Sequence, residues 1–127
     1  MPYDIAQSEW NTTVSEITSI LSNHAKTLIG QETISYSELY ELVRHLVRSS
    51  PILGPEDHRF HEMLGDVSKN ENQAGRGMLS VLVVHKSGDM KPGPGFYELA
   101  QKLGYVFSDE DSFWIRQFNI VCKAWRE

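Results

Sequence analysis

The chain has 127 residues, a length that suits one domain. Hydrophobic residues make up 40% of it, with three Trp, five Tyr and five Phe, enough for a core without staples. The formal net charge of −5 argues against a strongly basic nucleic-acid protein, and the single cysteine, Cys122, excludes an internal disulfide and a cysteine-based zinc cluster.

The first predicted helix covers 11–29. Trp10, Val14, Ile17, Leu21 and Leu28 recur at helical spacing, Ile20 widens the face, and Gly30 closes the end. The second covers 36–48, with Ser35 and Glu38 in capping-box spacing and Leu39, Leu42, Val43, Leu46 and Val47 as its buried stripe. Ser49-Ser50-Pro51 stops it, because the residue before proline avoids the α region. After a connector to Pro55, a third helix runs from about Glu56 to Asn72. Phe60, Met63, Leu64 and Val67 face inward, and Gly65 marks a close helix contact or a bend.

Gly75 to Phe96 is the organising stretch. Leu79 to Lys86 is short, apolar and valine-rich between glycine-containing turns, as a buried strand would be. A proline–glycine loop leads to a fourth helix, Phe96 to Leu103, with Gly104 as its stop. Tyr105-Val106-Phe107 could pair as a second strand. Ser108 with Asp111 signals the last helix, which carries a main stripe of Trp114, Phe118, Val121 and Trp125, widened by Phe113 and Ile120 and directed at the first helix.

Three helices followed by one β element predict a mostly helical α+β fold, a winged-helix-like single domain over 1–127. Helices two and three would form the helix-turn-helix, and Leu79 to Gly95 the wing. The alternative is a small α+β domain whose strand pairs with Tyr105–Phe107 or across a dimer interface. No run approaches the roughly 20 apolar residues that span a bilayer, and MPYDIAQSEW lacks the regions of a signal peptide. A cytoplasmic chain with no membrane partner is expected.

The words ISYSEL (34–39), GRGMLSVLVVHK (75–86) and GPGFYELAQKLG (93–104), ending on FW (113–114), resemble a family of small, standalone, uncharacterised bacterial proteins, which implies no particular activity. Over about residues 33–104 the layout is similar to the winged-helix half of alkylguanine-DNA alkyltransferases and alkyltransferase-like proteins. That resemblance implies a DNA-binding architecture. The Pro-Cys-His-Arg nucleophile motif is absent and Cys122 lies in a different element, so alkyl transfer is not implied.

Charge is unevenly spread. Residues 1–35 hold four acids and one base, whereas Arg76 to Lys102 hold four bases and two acids. Lys91-Pro-Gly-Pro-Gly-Phe opens a helix, where free amides and the helix dipole favour anions. The candidate ligand-binding residues are therefore Arg76, Lys86, Lys91, Gly93, Gly95 and Phe96. The expected function is a non-catalytic binding module for nucleic acid or another phosphate-bearing ligand, with no cofactor. A protein-interaction module, or a small enzyme, is the alternative. Three other groupings carry less. His58, His61 and Glu62 share a helix face but lack a third ligand in sequence, so no metal is expected. Ser80 and His85, five apart in a strand, would point to opposite faces. Glu71 and Arg76 suit a structural ion pair.

Overall fold

The computed structural model describes residues 7–27, 32–47, 52, 54, 57–85 and 93–126. It is mostly helical, an α+β arrangement of five helices and a two-stranded sheet: α1 (Gln7–Ala25), β1 (Ile34–Ser35), α2 (Tyr36–Leu46), α3 (His58–Gln73), β2 (Val83–Val84), α4 (Pro94–Lys102) and α5 (Glu110–Arg126). No helix among the described residues is long and apolar enough to cross a membrane.

Helix α1 is the hub. Its face of Trp10, Val14, Ile17 and Leu21 is buried, and it packs on α2, α3, α5 and the segment before β2. Ser35 caps α2 by accepting a hydrogen bond from the Glu38 N–H at 3.1 Å, and Asp57 caps α3 through the Arg59 N–H at 2.9 Å. Each cap gives a partner to one of the amides a helix start leaves unbonded. Helix α4 ends on Gly104, whose φ of +99° is open to glycine at little cost.

The organising stretch is not one long strand. Leu79–Leu82 forms a 3₁₀ turn, and only Val83–Val84 is extended; Lys86 lies outside the described residues. A short apolar run fits a buried strand or a buried helical turn equally well by periodicity. The choice is made by the backbone's partners. The Met78 N–H donates to Gln117 Oε1 at 3.1 Å and the Ser80 N–H to Ser68 Oγ at 3.0 Å. Trp114 Nε1–H donates to the Val81 carbonyl at 3.1 Å. Side chains of α3 and α5 thus satisfy the polar groups that a sheet would otherwise have to satisfy. Every residue from Met78 to Val84 is buried.

The strand partner also differs. β2 pairs in parallel with β1, Ile34 opposite Val83 and Ser35 opposite Val84, rather than with Tyr105–Phe107. That last segment is held by side chains: Tyr105 Oη–H donates to Asn72 Oδ1, and Phe107 stacks on Phe113 at 4.3 Å. Two helices bury only part of their predicted stripes. Leu42 and Leu46 on α2 are exposed, while Leu39, Val43 and the C-cap residue Val47 are buried as expected. α5 buries Phe113, Gln117, Val121 and Cys122, while Trp114, Phe118 and Trp125 are half-buried. Gln117 faces inward because it has the Met78 amide to bind. Asp109, not Ser108, caps α5, accepting from the Asp111 N–H at 3.2 Å and from Ser112 Oγ–H at 2.6 Å.

Candidate functional site

The sheet brings the start of α2 beside the residues that follow β2. Tyr36 is the first residue of α2, and His85 follows β2 directly. Their ring centroids are 4.7 Å apart. His61, on the first turns of α3, approaches the same tyrosine at 5.4 Å. The Tyr36 hydroxyl oxygen accepts a hydrogen bond from the Gly93 N–H at 3.1 Å, which ties the N-cap of α4 into the group. A Cβ at Gly93 would stand 3.0 Å from His85 Nε2 and 3.6 Å from Tyr36 Oη, so glycine permits this approach.

These residues line a cleft of about 650 Å³ between the starts of α2 and α4 and one flank of α3. Lys69 on α3 and Lys102 on α4 line it too, as do Glu62 and Asp66. Asp66 accepts from the indole N–H of Trp10 at 2.7 Å, which fixes its carboxylate. Burial raises the pKa of Tyr36 above the ordinary phenol value, and the Gly93 hydrogen bond offsets this in part. The cleft therefore presents a neutral phenol between elements that carry ionisable imidazoles.

Three of the six predicted binding residues, Gly93, Gly95 and Phe96, line the cleft. Arg76 is not among its lining residues. Its Nε–H donates to the buried Glu71 at 2.5 Å, and its guanidinium lies 5.1 Å from the Trp125 ring centre, so it serves as the structural ion pair. Lys86 and Lys91 lie outside the described residues. The predicted cradle of amides is largely occupied from within. The Gly93 N–H goes to Tyr36 and the Phe96 N–H to the Gly93 carbonyl at 3.2 Å, which leaves Gly95. Polar side chains, rather than a nest of amides, give the cleft its character.

Ser80 and His85 both line the cleft instead of facing opposite ways, because Leu79–Leu82 turns rather than extends. The Ser80 hydroxyl lies 2.6 Å from that of Ser68 in a buried pair. His58 and His61 line the cleft with Glu62, and no group of three or more His, Cys, Asp or Glu among the described residues could hold a metal ion. Sequence reading did not single out Tyr36, Lys69 and Lys102, which line the cleft. The one available signal for Tyr36 was its place directly after the Ser35 cap. No protein-family model, curated protein or solved structure matches the chain.

Proposed function

We propose that the chain is a binding module for a phosphate-bearing ligand, nucleic acid first, and that the ligand enters the cleft between α2, α3 and α4. The observation that carries this reading is the ring group of Tyr36, His61 and His85 in a cleft that Lys69 and Lys102 also line. Aromatic and imidazole rings offer faces to a nucleobase, and ammonium groups offer charge to a phosphate. Gly95 supports the reading, since a Cβ there would meet no atom of the described residues within 4 Å. A winged-helix-like layout belongs to the same proposal, with α2 and α3 as its helix-turn-helix; the order of the elements supports it.

The test is a fluorescence-anisotropy titration of single- and double-stranded DNA, RNA and a mononucleotide at low salt. The wild type should bind at least one of them, more weakly as salt rises. Lys69→Glu with Lys102→Glu should lose that binding, while Arg116→Glu with Lys123→Glu on α5 should retain it. No binding to any ligand, or equal loss in both double variants, would overturn the proposal.

A second reading, a protein-interaction module, is favoured by Leu42 and Leu46. They stand one turn apart on α2 and are 41% and 59% exposed. Leu42→Glu with Leu46→Glu would then abolish self-association measured by sedimentation. An unchanged monomer in both proteins would remove self-association as the form this reading takes.

A further inference from the structure

Three of the five histidines in the chain, His58, His61 and His85, line this one cleft. The groups that face them come from every element around it. Helix α2 supplies Tyr36. Helix α3 supplies Glu62, Asp66 and Lys69. The 3₁₀ turn supplies Ser80, and α4 supplies Lys102. The two lysines and two carboxylates balance in formal charge. Tyr36 remains an uncharged phenol well above neutral pH, and the Ser80 hydroxyl does not ionise in water. The remaining charge on the described lining rests with its imidazoles, and histidine is the residue type that serves as a switch near physiological pH.

We propose that proton uptake by His58, His61 and His85 switches the described lining of the cleft from balanced to cationic and so regulates its affinity for phosphodiester anions. The proposal rests on the reading of the cleft as a phosphate site and adds its regulation. All three side chains belong to exposed residues, so a proton can reach them without unfolding. His61 and His85 also touch the Tyr36 ring, so their charge forms where the tyrosine and the start of α4 meet. An anion bound there favours the protonated imidazoles, and by linkage protons then favour the anion. Surface screening limits each contribution, so the effect comes from three groups acting on one ligand.

The experiment titrates labelled oligothymidylate, whose phosphodiester charge is constant over this range, at about pH 5.5 and about pH 8 and fixed low salt. The wild type should bind about tenfold or more tightly at the lower pH. The triple variant His58→Gln, His61→Gln, His85→Gln should bind with little pH dependence. His45→Gln, exposed on α2 and outside the cleft lining, should behave as wild type. Circular dichroism checks that the triple variant folds. If it does not, His58→Gln alone, at a residue with no ring contact to Tyr36, should remove part of the dependence. Binding that ignores pH overturns the switch and leaves the phosphate reading standing. A dependence that survives the histidine substitutions assigns the effect to the charge of the whole chain and also overturns it. No binding at either pH overturns the reading and the switch together.

Discussion

Tyr36 joins three segments through one side chain: its backbone starts α2, its ring meets His61 and His85, and its hydroxyl takes the Gly93 amide. Tyr36→Phe keeps the ring and removes the acceptor. The Gly93 N–H then loses its partner, and stability measured by urea unfolding should fall by about 1 kcal/mol. The same residue gives an alkaline signature. Burial raises its folded pKa above the unfolded value of 10.0, so the folded state holds the proton more tightly. Its contribution is fully present below about pH 10 and is lost as pH rises through the folded value. Cys122, also raised from 9.0 chiefly by burial, acts in the same direction. The difference between wild type and Tyr36→Phe isolates the tyrosine. It should be constant from neutral pH to about pH 9 and shrink above pH 10; a difference that grows there would refute the assignment.

Glycines at two elements make a contrasting pair. At Gly65, inside α3, a Cβ would meet, among the described residues, only Leu99 Cδ2 at 3.8 Å, an ordinary contact. Gly65→Ala should therefore stabilise by about 0.5–1 kcal/mol through helix propensity. At Gly77, φ is +84°, and a Cβ would stand 2.9 Å from Ile120 Cγ2, 3.2 Å from Val121 Cγ2 and 3.3 Å from Gln117 Oε1. Gly77→Ala should cost about 2–4 kcal/mol, from left-handed strain and displacement of α5. Thermal melting of the two variants checks both signs, and a destabilised Gly65→Ala would mean that the α3–α4 contact at Leu99 leaves no room for a methyl group. The helix caps were legible in sequence, since Ser35 and Asp57 act through neighbours two or three residues away. The 3₁₀ turn was not, because its partners Ser68 and Gln117 lie 12 and 39 residues away in the chain.

Across the molecule, the end of α5 is pinned to Thr27 and Glu32, which follow α1 in the chain. Arg126 donates to Glu32, buried to 3% exposure, at 2.5 Å and to the Thr27 carbonyl at 3.1 Å. Trp125 beside it lies 5.2 Å from Lys26 Nζ and 5.1 Å from the Arg76 guanidinium. Arg126→Ala removes a partner from a buried carboxylate and should cost about 1–3 kcal/mol in denaturant unfolding. Binding in the cleft should be unchanged, as neither residue lines it. A loss of binding without a loss of stability would show that the two ends of the molecule are coupled.

Sequence by itself determined where helices lie, with α1 four residues nearer the N-terminus than expected, and it singled out a stretch of which Ser80, His85 and Gly93 to Phe96 line the cleft. These features depend on local periodicity, caps and glycine conformations, which neighbouring residues specify. The Arg76–Glu71 ion pair, five residues apart, was legible in the same way. Only the tertiary structure decided which strand meets β2, which face of α5 is buried, and that Lys69 and Lys102 line the cleft. Each of those outcomes is a choice between distant partners. It is made by the N–H and C=O groups of a buried backbone and the side chains that reach them, which have no signature in the residues beside them.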